Sequence, residues 1–87
     1  MKAVVTVIGK DMVGILAKVS TACAESNANV EDVTQTIMQD FFCMIMLVDI
    51  HKINCSFEDF KAHLANVVPE MKVHVMHEDI FNSMHRI

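Results

Sequence analysis

Gly9-Lys10-Asp11-Met12-Val13-Gly14-Ile15 is the stretch on which the reading of the fold turns. Before it lies an apolar, β-branched run, Ala3-Val4-Val5-Thr6-Val7-Ile8. After it, Ile15, Leu16, Val19, Ala22 and Cys23 recur at helical spacing. The stretch is therefore a strand-to-helix turn, and it holds both glycines of the chain. Gly9 suits a sharp exit from a strand, and Gly14 allows close backbone approach at the helix entrance. The first turn of a helix has N–H groups without intrahelical partners and a partial positive charge, so it favours an anion such as a carboxylate. The spacing is that of neither a phosphate loop nor a dinucleotide fingerprint. A tight turn without a ligand is the alternative reading of the same residues.

Working outward, Lys2 to Ile8 is apolar on both faces apart from Thr6, which predicts a central strand. Asp11 is the expected cap of a helix over about Val13 to Ser26, and Asn27-Ala28-Asn29 stops it, asparagine tolerating the left-handed conformation. Val30 to Met38 alternates. Glu31, Val33, Gln35 and Ile37 are expected on one face, with Val30, Asp32, Thr34, Thr36 and Met38 on the other. The polar content points to an edge strand. Gln39-Asp40 is a turn into a strand over Phe41 to Ile50, completing a hairpin.

That strand carries Phe42, Met44, Met46, Val48 and Ile50 on one face and Cys43, Ile45, Leu47 and Asp49 on the other. Helices cover only one face of a two-layer fold, so the second apolar face requires a partner chain or the C-terminal tail. Ser56-Phe57-Glu58-Asp59 reads as a capped start of a second helix, with Phe57, Phe60, Leu64 and Val67 as its stripe and Pro69 as its end. Met71 to Glu78 is a fourth strand, with Met71, Val73 and Val75 opposed to Lys72, His74 and Met76. Residues 79–87 are expected to form a short docked helix through Ile80, Phe81 and Met84, after a domain spanning 1–78. The order β-α-β-β-α-β defines an α+β, ferredoxin-like sandwich: a four-stranded antiparallel sheet, first and third strands central, two helices on one face.

Composition narrows the function. The chain has 87 residues, 53% apolar and 21% charged, with a net charge of −4, which describes one globular domain. Its seven basic residues are scattered, so a nucleic-acid backbone is not the expected partner. An RNA-binding sheet would need aromatics where the third strand has Met and Ile. Cys23, Cys43 and Cys55 are odd in number and widely spaced, as in reduced cytoplasmic proteins. No apolar run is long enough to serve as a membrane span, and the start does not read as a signal peptide.

No catalytic pair or triad has a workable spacing, and no enzyme and no cofactor are expected. His74, His77 and His85 with Glu78 and Asp79 are the most tempting metal cluster, but His74 and His77 point to opposite faces of a strand. No metal is expected there; His77-Glu78-Asp79 and His85-Arg86 read as polar anchors of the tail. Cys43 reads as core packing. Met38, Met44, Met46 and Met76 read as filling a core or a dimer interface.

The joint pattern Gly9-x-Asp11-x-x-Gly14-Ile15-x-Ala17-x-Val19-Ser20, then Asn27-x-Asn29-Val30-x-Asp32, resembles the ACT domain, over nearly the whole chain. Thr34-Gln35-Thr36-Ile37-Met38-Gln39 and His77-Glu78-Asp79-Ile80-Phe81-x-x-Met84-His85-Arg86-Ile87 resemble the small stand-alone ACT-domain proteins, and more distantly the regulators of the glycine cleavage system. The resemblance implies a βαββαβ regulatory module that binds an amino acid or similar small molecule as a homodimer, with sites between chains. Carried over, Gly9, Lys10, Asp11, Met12, Val13, Gly14 and Ile15 would present backbone N–H groups to a carboxylate, and Asp11 or Asn29 would engage the amino group. Met12 and Val13 stand where the family's loop has Arg and Pro. The alternative is a protein–protein interaction subunit without a metabolite.

Overall fold

The computed structural model describes residues 1–10 and 13–84, and the side chains of all these but Met84. In chain order the elements are β1 (Lys2–Lys10), α1 (Ile15–Glu25), β2 (Asn29–Met38), β3 (Phe41–Asp49), α2 (Phe57–Val67), β4 (Lys72–His77) and α3 (Glu78–Met84). The strands form one antiparallel sheet in the order β2-β3-β1-β4. β1 and β3 are thus central and β2 lies at an edge, as their apolar and polar patterns require. The ferredoxin-like architecture read from the sequence is the architecture observed.

α1 and α2 cover one face. Ala3, Val5 and Val7 of β1, with Phe42, Met44, Met46 and Val48 of β3, meet Ile15, Val19, Ala22 and Cys23 of α1 and Phe60 and Leu64 of α2. Most of these side chains are wholly shielded from solvent. Full burial of each large apolar side chain contributes about 1.5–3 kcal/mol, so this layer dominates the stability. α2 begins as its sequence demands: the Ser56 hydroxyl accepts a hydrogen bond from the Asp59 N–H at 3.0 Å, and Glu58 and Asp59 occupy the positive first turn. Pro69 follows two residues after its end.

Three local expectations are corrected. α1 starts at Ile15, so the residue at its N-terminal boundary is Gly14, in the left-handed region at φ 83°, and no side chain caps it. The expected cap Asp11 lies outside the described residues. The two faces of β2 are not a simple alternation. The register against β3 shifts between Val30 and Asp32, so Val30 pairs with Val48 and Val33 with Met46. Both valines therefore pack on the helix-side core, although an unbroken strand would oppose them. Cys43, read as core, lies on the helix-free face and is half-buried, while the fully shielded thiol is Cys23.

The helix-free face carries Val4, Thr6 and Ile8 of β1 beside Leu47, Ile45 and Cys43 of β3. α3 packs against β1 and β4 and shelters one end of this face, where Val4 is only 4% exposed. Toward the other end Ile8 is 40% and Phe41 53% exposed.

Two measurements check this packing. Leu64→Ala removes a fully buried side chain between helix and sheet and is expected to cost about 2–5 kcal/mol in denaturant unfolding. Burial raises the Cys23 thiol from its ordinary 9.0 to about 11. A native-state titration with a thiol reagent is expected to modify Cys55 and spare Cys23 until the chain unfolds. Because the folded form holds this proton more tightly, stability is expected to fall as pH rises from about 9 toward about 11.

Candidate functional site

The residues singled out in the sequence fall at two ends of the sheet. Gly9 and Lys10 close β1, paired with Phe42 and Phe41. A Cβ on Gly9 would lie 2.5 Å from the Met71 sulfur, so its missing side chain makes room for the start of β4. Val13 is 98% exposed, Gly14 has open space around it, and Ile15 turns inward to the core. The Gly14 carbonyl accepts the first helical hydrogen bond, from the Lys18 N–H at 2.9 Å. Asp11 and Met12 lie outside the described residues. The loop is thus anchored by Gly9 on one side and Ile15 on the other.

Asn29 opens β2 and pairs with Asp49, which pairs in turn with Lys2. Gly9 is seven residues along β1 from Lys2, roughly 23 Å at strand rise. Within one chain the loop and Asn29 are therefore not brought together.

Asn29 lines a cavity of about 460 Å³ with Ala24, Asn27, Ala28, Asp49, His51 and Lys52. That volume is in the range of small-molecule sites. Local chemistry builds its walls. Asn27 adopts the left-handed conformation at φ 59° and donates its side-chain N–H to the Lys52 carbonyl at 2.7 Å. Asp49 accepts the His51 N–H at 2.8 Å, folding the connector back over the strand end. Asn54 ties the same connector to α1, donating to the Glu25 carbonyl at 2.9 Å. The lining residues thus include amide, carboxylate, imidazole and ammonium types beside two alanines. Residues of these types pair with either charge of a small zwitterion.

Sequence reading named Asn29 but missed Asp49, His51 and Lys52. The signal was present only jointly: two polar turns, Asn27-x-Asn29 and Asp49-x-His51-Lys52, become neighbours once β2 and β3 pair. Beside them, Lys2 meets Glu31 at 2.9 Å, and that hydrogen bond, with the attraction of the carboxylate, raises the lysine above its ordinary value.

The tail histidines separate as their spacing requires. His74 pairs with Thr6 on the helix-free side. The His77 ring stacks on Phe57 of α2 with centroids 4.5 Å apart, and Lys61 stands over the same phenyl ring at 5.7 Å. Glu78 and Asp79 form the first turn of α3, where acids suit the helix dipole. His85 and Arg86 lie outside the described residues. Among the described residues no group of three or more His, Cys, Asp or Glu side chains converges as a metal site would, and no helix is long and apolar enough to cross a membrane.

Comparison with known proteins agrees with this architecture. The chain is 49% identical, over 89 aligned positions covering 100% of both chains, to a UPF0237 protein of Listeria monocytogenes. An ACT domain protein from Streptococcus pneumoniae superposes with a TM-score of 0.79 at 31% identity, covering 98% of each chain. The regulatory subunit of aspartate kinase from Thermus thermophilus shares the fold, with a TM-score of 0.65 at 24% identity over 85% of this chain and 49% of that one. The family model described as the ACT domain matches residues 2–77, and with it the fold, the strand order and the glycine-flanked loop make one case: this chain belongs to the ACT domain family.

Proposed function

We propose that the chain is a non-catalytic regulatory module of the cytoplasm that binds a small molecule, an amino acid, as a homodimer. ACT domains are regulatory modules that commonly bind amino acids, and membership of the family supports the general reading. Residues 1–78 are the binding unit in this proposal, and residues 79–87 are an appendage to it. Each site combines the loop Gly9, Lys10, Asp11, Met12, Val13, Gly14 and Ile15 of one protomer with the Asn29 end of the other. The observation that carries the proposal is the cavity beside Asn29, whose lining residues include Asp49 and Lys52. An amino acid's two charges match Asp49 and Lys52, and the N–H groups at the entrance of α1 add a second attraction for its carboxylate.

A protein–protein interaction subunit without a metabolite is the second reading. The exposed apolar residues of the helix-free face favour it, since such patches mark contact surfaces.

Thermal denaturation of the purified chain with each of the twenty amino acids separates the two. Saturating the right ligand at 100 times its Kd is expected to stabilise the fold by about 2.7 kcal/mol. Asn29→Ala, an exposed position, is expected to abolish that shift while leaving the unliganded melting temperature nearly unchanged. No shift with any amino acid removes the amino-acid reading and leaves the interaction subunit.

A further inference from the structure

We propose that the helix-free face of the sheet and α3 form one self-complementary surface, on which a second copy of the chain docks face to face with the two-fold axis running across the strands. The proposal rests on the homodimer reading above and goes beyond it by naming the surface and its sense.

The face is unevenly covered. α3 has seven residues and is about 10 Å long, whereas β1 beneath it has nine and extends about 30 Å. At the α3 end Val4 is sealed, and a groove of about 250 Å³ separates Glu78, Phe81 and Asn82 from Ile45 and Leu47. At the far end Ile8, Phe41 and Met38 remain 40%, 53% and 65% exposed. The helix also has an unsatisfied side: Ile80, on α3, is 52% exposed. One copy thus carries both an apolar ridge and an apolar strip without a ridge.

A rotation of 180° about an axis across the strands sets each ridge over the other copy's bare strip. This is an isologous contact, which closes at two copies. The charges select the same sense. α3 opens with Glu78 and Asp79, while the bare end is flanked by Lys10 and by Lys72, which pairs with Ile8. Asp79, Lys10 and Lys72 are exposed. The antiparallel sense places acids against lysines, whereas the parallel sense keeps the acids of both copies at one end and the lysines at the other. The acidic and basic ends of one face therefore specify a second copy rather than an arbitrary apolar partner. Four strands are about 19 Å wide, giving the face the scale of the roughly 800 Å² that each partner contributes to a stable dimer. The row Thr34, Ile45, Thr6 and His74 lies midway between the sealed and bare rows, so Ile45 falls near the axis and each substitution there enters the interface twice.

Sedimentation equilibrium of the full chain over a concentration series tests this, with far-UV circular dichroism as the check on folding. The wild type is expected to be a dimer. Ile45→Lys, at a position 38% exposed and so tolerant of change in the monomer, is expected to raise the dimer dissociation constant at least about 100-fold with an unaltered spectrum. Lys72→Glu is expected to weaken association about tenfold, and Lys72→Glu combined with Asp79→Lys to restore most of it. A dimer indifferent to Ile45→Lys, or a charge exchange without rescue, overturns the proposed surface and leaves the homodimer intact. A monomeric wild type overturns both. Failure of every amino acid to stabilise the chain bears on the ligand alone and leaves these outcomes as they are.

Discussion

Two central strands that are apolar on both faces are the constraint from which the rest of this molecule follows. β1 places Ala3, Val5 and Val7 on one side and Val4 and Ile8 on the other; β3 does the same with Met44 and Met46 against Ile45 and Leu47. A βαββαβ chain has two helices for one face and nothing for the second. At about 25 cal/mol per Å² of apolar surface, leaving the second face in water forfeits stability that an 87-residue domain can ill spare. α3 is the partial answer within the chain. It seals Val4 and stops short of Ile8. The distribution of exposed apolar residues at one end of the sheet, Met38, Phe41 and Ile8, is the remainder of the same problem.

The irregularity at Glu31 serves this economy on the opposite face. An alternating edge strand would put either Val30 or Val33 into water. One extra residue between the pairs Val30–Val48 and Asp32–Leu47 turns both valines inward. It also leaves Glu31 beside Lys2, where the two charges pair at 2.9 Å across the end of the sheet. Both side chains are substantially solvent-exposed, so the pair adds little stability by itself. A bulge additionally spoils the regular outer edge of β2, which discourages indiscriminate strand addition.

What could be read from the sequence were the features with a period. The two-residue alternation of β3, the 3.6-residue stripes of α1 and α2, and the Ser56 cap are local, and each is present as expected. What escaped were features set by pairing. No local pattern in Asn29-Val30-Glu31-Asp32 marks a bulge, since the register exists only once β3 lies alongside. Cys43 looked like core because its strand is central, but its direction follows from counting residues in the pairing with β1. The cavity beside Asn29 escaped for the same reason, because Asp49, His51 and Lys52 acquire a role only when the β2 and β3 ends meet. Of the proposed site, the loop was legible as a unit. Its relation to Asn29 was not, because the two lie at opposite ends of β1.

That separation ties the ligand proposal to the dimer proposal. A site needing both the entrance of α1 and the neighbourhood of Asn29 cannot be assembled in one protomer, since about 23 Å of strand divides them. A two-fold axis running across the strands reverses one sheet against the other. It brings the strand ends that carry the loop of one copy and Asn29 of the other to the same end of the pair, while both helix layers, with the entrance of α1 and the cavity beside Asn29, stay on the outer sides. An axis along the strands would leave loop beside loop. A ligand that bridges two chains stabilises their dimer by its binding free energy, and the dimer sets the apparent affinity for the ligand. Were the chain regulated in this way, the assembly equilibrium itself would carry the signal.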